Sequence, residues 1–434
     1  MHLQAGLLLA SLLCLLYWKL CKSWHYWQER GVPGPPPSLL SPLGNAWPTY
    51  STSFYRNLFH DFYGQPLVGL YEFTTPVLVV NDPELARQVL VKDFTHFVDR
   101  NREPTWGTGA SDAYWTHMMA FMVGDRWRRA RAALSPAFTP GKMKLLMQLI
   151  YQVSDRLGQD LEQKLLQEEG FELRETFGKF SLDTLVSCAF GVDAQSFDDG
   201  DSPFMRHATN IFKVTPADTI REALLMIPGM AKAFRILGVN SVKPEETRFF
   251  ANIIKKTVEH RRKTKERRND LVDLMLDAME GESLSSNDDK LDETTMIANA
   301  LVLLVAGYET MGSGLCWVFY ELANNQEVQM EVQKGVDSVF EGSDSGRPGY
   351  SDIQSMGLLD RVIEETLRLR SDEVLARVVT TDTYTLPGTS ITMNKGDMVL
   401  VNVPGIHTDP KNFPQPGTFN PDNFSKQTKA ERSQ

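Results

Sequence analysis

The chain has 434 residues, 42% of them hydrophobic and 23% charged, enough for one large enzyme fold or for several domains. A net charge of −10 gives a nucleic-acid partner no global electrostatic support. The four cysteines, Cys14, Cys21, Cys188 and Cys316, form no CxxC pair and no disulfide-like spacing, which fits a reducing compartment.

The first feature in chain order is an apolar run from Ala5 to Trp18, extending to Cys21 if Lys19 snorkels. No basic residue precedes the run and no small-x-small cleavage site follows it, so it reads as an uncleaved signal-anchor. Lys19, Lys22 and Arg30 lie on its C-terminal side, with Trp18, Trp24 and Trp27 expected as interfacial anchors. That basic flank directs the body to the cytosol. Residues 1–30 are therefore expected to be anchor and flank. Residues 31–45, with Val32-Pro33-Gly34-Pro35-Pro36-Pro37, read either as a stiff extended hinge or as a disordered linker. Residues 46–434 form the body.

Within the body, Pro66–Val80 reads as two strands, and Asn81-Asp82-Pro83 as a helix start with an Asx cap. Residues 101–124 lack clean periodicity and read as a long loop, a class that tends to be functional. Helical patterns follow from Gly124, from Met143 to Gln167 and from Leu173 to Phe190, with breaks at Ser135-Pro136 and Thr139-Pro140-Gly141. Ala208–Gly238 mixes short apolar runs with prolines. Phe249–Arg268 is a helix ending in a basic tract, Arg261-Arg262-Lys263 and Arg267-Arg268. The tract is either a solvated helix face or a contact for an acidic partner or membrane surface.

After a polar loop from Ser283 to Lys290, the segment Met296–Val305 is apolar nearly all round, with only Asn299 polar, so a helix here must be buried. Asp288, Asp289, Asp292 and Glu293 suit its positive end. Ala306-Gly307 then interrupts the large apolar residues, and Glu309-Thr310 follows. A mid-helix glycine costs about 1 kcal/mol against alanine, so it needs a reason. An acid and a hydroxyl beside it suggest a place where something binds and protons move. A packing glycine and a back-bonding threonine are the plainer alternative. Beyond, Ser351–Leu369 reads as helix and Val378–Val403 as strand-rich, with turns at Pro387-Gly388 and Asn394–Asp397. The body is expected to be mainly α with small β-sheets.

Two further pairs carry chemistry. Trp127 and Arg131, four apart on a helix, can grip a carboxylate together or form a cation–π surface pair. Glu365 and Arg368, three apart, meet on a helix face, worth only about 0.2–0.5 kcal/mol if exposed.

Ala306-Gly307-Tyr308-Glu309-Thr310, Glu365-Thr366-Leu367-Arg368 and Phe419-Asn420-Pro421-Asp422-Asn423-Phe424 occur in an order that resembles the cytochrome P-450 family. The N-terminal anchor with its proline-rich hinge, Trp127-x-x-x-Arg131, Phe97–Arg100, Ser135–Lys142 and His407–Pro410 agree with it. The resemblance covers essentially the whole chain and is nearest to the animal microsomal group of drug-metabolising and thromboxane-synthase-like enzymes. It implies a haem b monooxygenase that inserts one oxygen atom from O2 into a small apolar substrate: a xenobiotic, a steroid or a fatty-acid-like molecule. Electrons would come from NADPH through a reductase on the same membrane, with a cytochrome b-type donor as a further partner. The implied location is the endoplasmic reticulum membrane, in contact with its lipid, with the body on the cytosolic face.

By the same resemblance, Glu309 and Thr310 are the catalytic proton-delivering pair, and Ala306-Gly307 is a notch that gives oxygen room. Trp127, Arg131 and Arg377 look like donors to the haem propionates, with His407 a weaker candidate. Glu365, Arg368 and Asn423 form a structural network, in which Asn423 stands where the family usually has arginine. Met311 and Arg370–Glu373 also depart from the family pattern. The axial cysteine of the family's haem loop has no counterpart here, since no cysteine follows Cys316. The resemblance therefore implies a chain truncated at its C-terminus before that loop, giving a partial catalytic domain. Such a chain is expected to bind little haem and to aggregate. The alternative reading is a catalytically inactive, membrane-anchored binding protein of P-450-like build.

Overall fold

The computed structural model describes residues 24–36, 45, 52–72, 75–100, 112–166, 170–198, 202–225, 230–237, 239, 243–268, 270–280, 292–343, 346–370 and 373–432. The core of the expected signal-anchor, the later part of the hinge, residues 101–111, Asp288 and Asp289 lie outside these. The described residues fall into two compact units, one drawn from Met1–Glu103 and Arg368–Thr418, the other from Pro104–Leu225, Gly229–Leu367 and Phe419–Gln434.

The first unit is built on a four-stranded sheet. Strands β1 (Leu67–Glu72) and β2 (Thr75–Val80) pair antiparallel, with Leu67 opposite Val80. In sequence order β3 (Leu375–Val378), β4 (Thr383–Thr385), β5 (Thr392–Asn394) and β6 (Met398–Val401) follow. The sheet order is β1-β2-β6-β3, with β6 parallel to β2, and β4 and β5 form a separate hairpin. The unbroken apolar run Val77-Leu78-Val79-Val80 is explained by burial on both faces. Alternate side chains enter different clusters: Leu78 and Val80 join Trp27, Phe97 and Val399, while Val77 and Val79 join Tyr55, Leu58 and Leu400. Asp82 caps the following helix as expected, its carboxylate accepting from the Leu85 amide at 2.8 Å.

One N-terminal expectation is corrected here. Trp24 and Trp27 are core residues of this unit and not interfacial anchors, being only 7% and 4% exposed. The Trp27 indole donates to the Leu70 carbonyl at 2.9 Å and lies on Gly69, where an added Cβ would fall 2.3 Å from the ring. Gly69 is needed for that close approach. The start of the expected hinge is irregular chain tied to the body, because the Gly69 amide donates to the Pro33 carbonyl at 2.8 Å and Val32 is buried, which favours the stiff spacer over the disordered linker for these residues.

The second unit is helical. Its central helix, Glu293–Asn324, begins where Asp292 accepts from the Thr295 amide at 2.8 Å. By length and composition it could cross a membrane, but it packs along the helix Leu173–Phe190, which ends at Gly191 in a left-handed conformation. Phe177 stacks on Phe319 at 5.0 Å, and Gly178 faces Tyr308. The central helix is not buried all round. Met296–Leu301 and Leu304 are buried, whereas Ala306, Thr310 and Met311 are exposed.

Other differences have local causes. The expected loop before Gly124 contains a helix, Asp112–Thr116, fixed by a Trp115 indole hydrogen bond to the Thr247 hydroxyl at 3.1 Å. The helix expected over Ser351–Leu369 is two, Tyr350–Gln354 and Gly357–Arg370. Within the basic tract Arg261 is buried, whereas Arg262, Lys263, Arg267 and Arg268 remain partly or fully exposed. Arg261 is 4% exposed and holds Asp270 and Asp273, each at 2.6 Å, while Arg262 pairs with Glu293 and Arg267 with Asp277. These arginines are neither a solvated face alone nor a ready docking surface.

Candidate active site

One face of the central helix lines up side chains three and four apart: Asn299, which is buried, Val302 and Leu303, which are half-buried, and Ala306 and Thr310, which are exposed. Its first turns border a cavity of about 210 Å³, closed otherwise by Met119, Arg131, Leu134 and Phe138. The lining is apolar except for Arg131 and Asn299. Asn299 is spent on protein contacts. Its oxygen accepts from the Met119 amide at 2.8 Å, and its nitrogen donates to the carbonyls of His117 and Thr295 at 3.1 and 2.7 Å. Arg131 is different: among the described residues its guanidinium has no hydrogen-bonding or ion-pair partner. Trp127, one turn earlier on the helix Gly124–Leu134, is half-buried against the core.

The residues of the Ala306–Thr310 motif do not share one environment. Ala306 and Thr310 lie on the open face, and the Thr310 hydroxyl donates back to the Ala306 carbonyl. Gly307 points elsewhere. A Cβ there would fall 2.7 and 2.8 Å from the two methyl carbons of Leu185, so its missing side chain admits the neighbouring helix. Glu309 is ion-paired with Arg174 of that same helix. The notch expected from Ala306-Gly307 thus divides between an open position and a packing position.

In the first unit, Arg377 lies on β3 and is half-buried. One of its terminal nitrogens donates to the Ala376 carbonyl at 2.9 Å, but its Nε is buried without a partner among the described residues. Burial, and then the charge of Arg100, push its guanidinium pKa down. A cation so placed calls for an anion. His407 borders a different cavity of the same unit, with Arg87 and Ile406.

Glu365 is fully buried, its carboxylate accepting from the Asn420 amide at 2.9 Å and from the Asn423 side chain at 3.0 Å. Arg368, 2% exposed, donates to the carbonyls of His407 and Pro416 at 2.8 Å and of Thr418 at 3.3 Å, with its guanidinium over the Phe413 ring. Both residues knit loops to the helix Gly357–Arg370 and touch no cavity described above.

Residues 33–434 match the cytochrome P-450 family model. This chain belongs to the cytochrome P-450 family. It is 30% identical to cytochrome P-450 6A1 of Musca domestica, covering 98% of this chain and 83% of the relative. It is 30% identical to cytochrome P-450 3A28 of Bos taurus over 98% of this chain and 82% of the relative, and 29% identical to the human 3A7 enzyme over the same shares. As a family member it is a haem-dependent monooxygenase with haem b as cofactor, driven by NADPH electrons delivered through a reductase and acting on small substrates.

Within the helical unit the residues present fit the edge of a flat apolar ring bearing a carboxylate: the cavity is largely apolar and its rim carries Arg131, a cation without a partner among the described residues. The axial ligand is another matter. Burial pushes the Cys188 thiol up to about 11 and raises that of Cys316, so neither favours the thiolate that a haem iron needs. Among the described residues no group of three or more His, Cys, Asp or Glu side chains is placed to hold a metal ion. Cys188 and Cys316, the two cysteines among the described residues, sit on helices of the second unit and neither lines the cavity described above.

Sequence reasoning missed Arg174 and Leu185, which carry no motif. It marked Asn299 only as the polar exception in an apolar run, and that exception was the available signal.

Proposed function

We propose that the face Val302–Leu303–Ala306–Thr310 is the oxygen-side wall of the haem site, and that Arg131, aided by Trp127, binds a haem carboxylate. The observation that carries this reading is Arg131, a cation without a partner among the described residues at the edge of a cavity on the central helix that is apolar but for Asn299. Arg377 has the same kind of task in its own unit, neutralising a carboxylate with its orphaned donor. Bound haem supplies oxygen activation and the insertion of one oxygen atom into the substrate.

The protein's own part is to exclude water and to move protons. Val302, Leu303, Leu134 and Phe138 provide apolar walls suited to a small apolar substrate. Thr310 can accept a hydrogen bond while its proton is held by the Ala306 carbonyl, and it donates once that intrahelical bond opens. Glu309, on the next position around the helix and about a quarter exposed, reaches water beside Arg174. The two residues thus span the helix from the solvent side to the open face, and together they form the proton route. Glu365, Arg368 and Asn423 are structural in this reading.

The reading extends to location. The apolar run Ala5–Trp18 followed by Lys19 and Lys22 supports a single N-terminal anchor in the endoplasmic reticulum membrane, with the body cytosolic and lipid beside it. A cytochrome b-type donor is a second electron source. The test of the site is titration with hemin followed by absorbance. Arg131→Gln should weaken binding at least tenfold, whereas Arg128→Gln, which removes an exposed partner of Asp125, should leave it within twofold. Equal effects of the two changes would remove Arg131 from the site.

A further inference from the structure

Asn299 lies within the cavity lining, yet all of its hydrogen-bonding capacity toward the protein is directed at two segments: its own helix through Thr295, and the segment after the helix Asp112–Thr116 through His117 and Met119. The Met119 amide is the notable partner. Its neighbours Met118, Phe121 and Met122 have backbone acceptors within the same segment, while Met119 donates to the Asn299 side chain. Met119 itself lines the cavity. Met118 is fully buried in the core cluster, and Trp115 is tied to Thr247 at 3.1 Å. The segment is therefore pinned from below by packing, at one side by Trp115, and on its cavity side by Asn299.

We propose that Asn299 is a positioning residue that clasps the segment His117–Met122 to the central helix and thereby sets the width of the substrate cavity beside Met119. The proposal rests on the assignment of this cavity as the substrate side of the haem site. Asn299 is 0% exposed, so an apolar replacement of similar size takes away the acceptor of the Met119 amide and one donor to the His117 carbonyl and lets the segment move toward water. Asn299 does not bind substrate in this scheme, since its oxygen and both N–H groups are engaged. Its effect is on which molecules fit and how they lie.

The test uses hydrogen exchange by mass spectrometry on the purified protein, together with the binding of Nile red as an apolar cavity probe. In Asn299→Leu, exchange in peptides covering 117–122 should rise at least tenfold while peptides of the helix Leu173–Phe190 change less than twofold. Asn299→Asp, which keeps the acceptor for Met119, should give a smaller rise in the same peptides and serves if the leucine variant fails to fold. Val302→Trp, which fills the cavity, should weaken Nile red binding at least fivefold, and Asn299→Leu should shift its dissociation constant at least threefold. If Val302→Trp leaves Nile red binding unchanged, the cavity assignment fails. If Val302→Trp weakens it but the Asn299 variants leave both exchange at 117–122 and probe binding unchanged, the clasp is wrong. A rise in exchange spread evenly over the second unit would likewise reduce Asn299 to a general stabilising residue and overturn the proposal.

Discussion

Replacing Arg368 with alanine should destabilise the protein by about 2–5 kcal/mol, from buried carbonyls that lose their donor and from the cavity left behind. The reason is in its partners. One guanidinium donates to the carbonyls of His407, Pro416 and Thr418 and lies 4.6 Å from the centre of the Phe413 ring. Alanine leaves three carbonyls to find water or other donors, and it opens a hole the size of the side chain. The loops between His407 and Thr418 should loosen first, so limited proteolysis ought to cut there before the rest of the chain. Lysine should recover little, because a single ammonium cannot reach three carbonyls from a planar fork or stack on the ring. Urea unfolding of the three proteins is the check. A midpoint for Arg368→Ala equal to that of the unmodified protein would show that the loops hold without it.

Two neighbouring substitutions should behave oppositely. Gly307→Val should cost about 2–3 kcal/mol, through overpacking against Leu185, since even its Cβ would sit 2.7 Å from a Leu185 methyl. Gly307→Ala should cost much less, because the clash is with the movable end of a leucine and alanine gains about 1 kcal/mol of helix propensity over glycine. Ala306→Val, on the exposed face, should stay within about 0.5 kcal/mol of the starting stability. Urea midpoints again decide it. Equal losses at both positions would mean that the two faces of the helix are not distinguished as described.

Much of the fold was legible in the sequence because its signals are local. The run Val77–Val80, the Asp82-Pro83 cap and the limits of Leu173–Phe190 follow from burial periodicity, capping and a glycine stop, which act over a few residues. The motif order pointed to the family for the same reason. What was not legible depended on tertiary packing. Trp24 and Trp27 have the composition of membrane-interface residues, and only the approach of Gly69 reveals them as core. The tract Arg261–Arg268 looks like a free basic surface until Asp270, Asp273 and Asp277 fold back on it. Gly307 and Ala306 are adjacent small residues in the sequence. A rotation of about 100° per residue sends one to Leu185 and the other to the open face.

The central claim is that the open face of the helix Glu293–Asn324, with Arg131 at its rim, receives the haem. Hydrogen exchange measured with and without saturating hemin tests it most directly, because it reads contact even where affinity is low. Protection on adding hemin should appear in peptides spanning 299–310 and 127–138, and it should be lost in Arg131→Glu. Protection that is absent from both peptides, or that survives the charge reversal unchanged, would contradict the account.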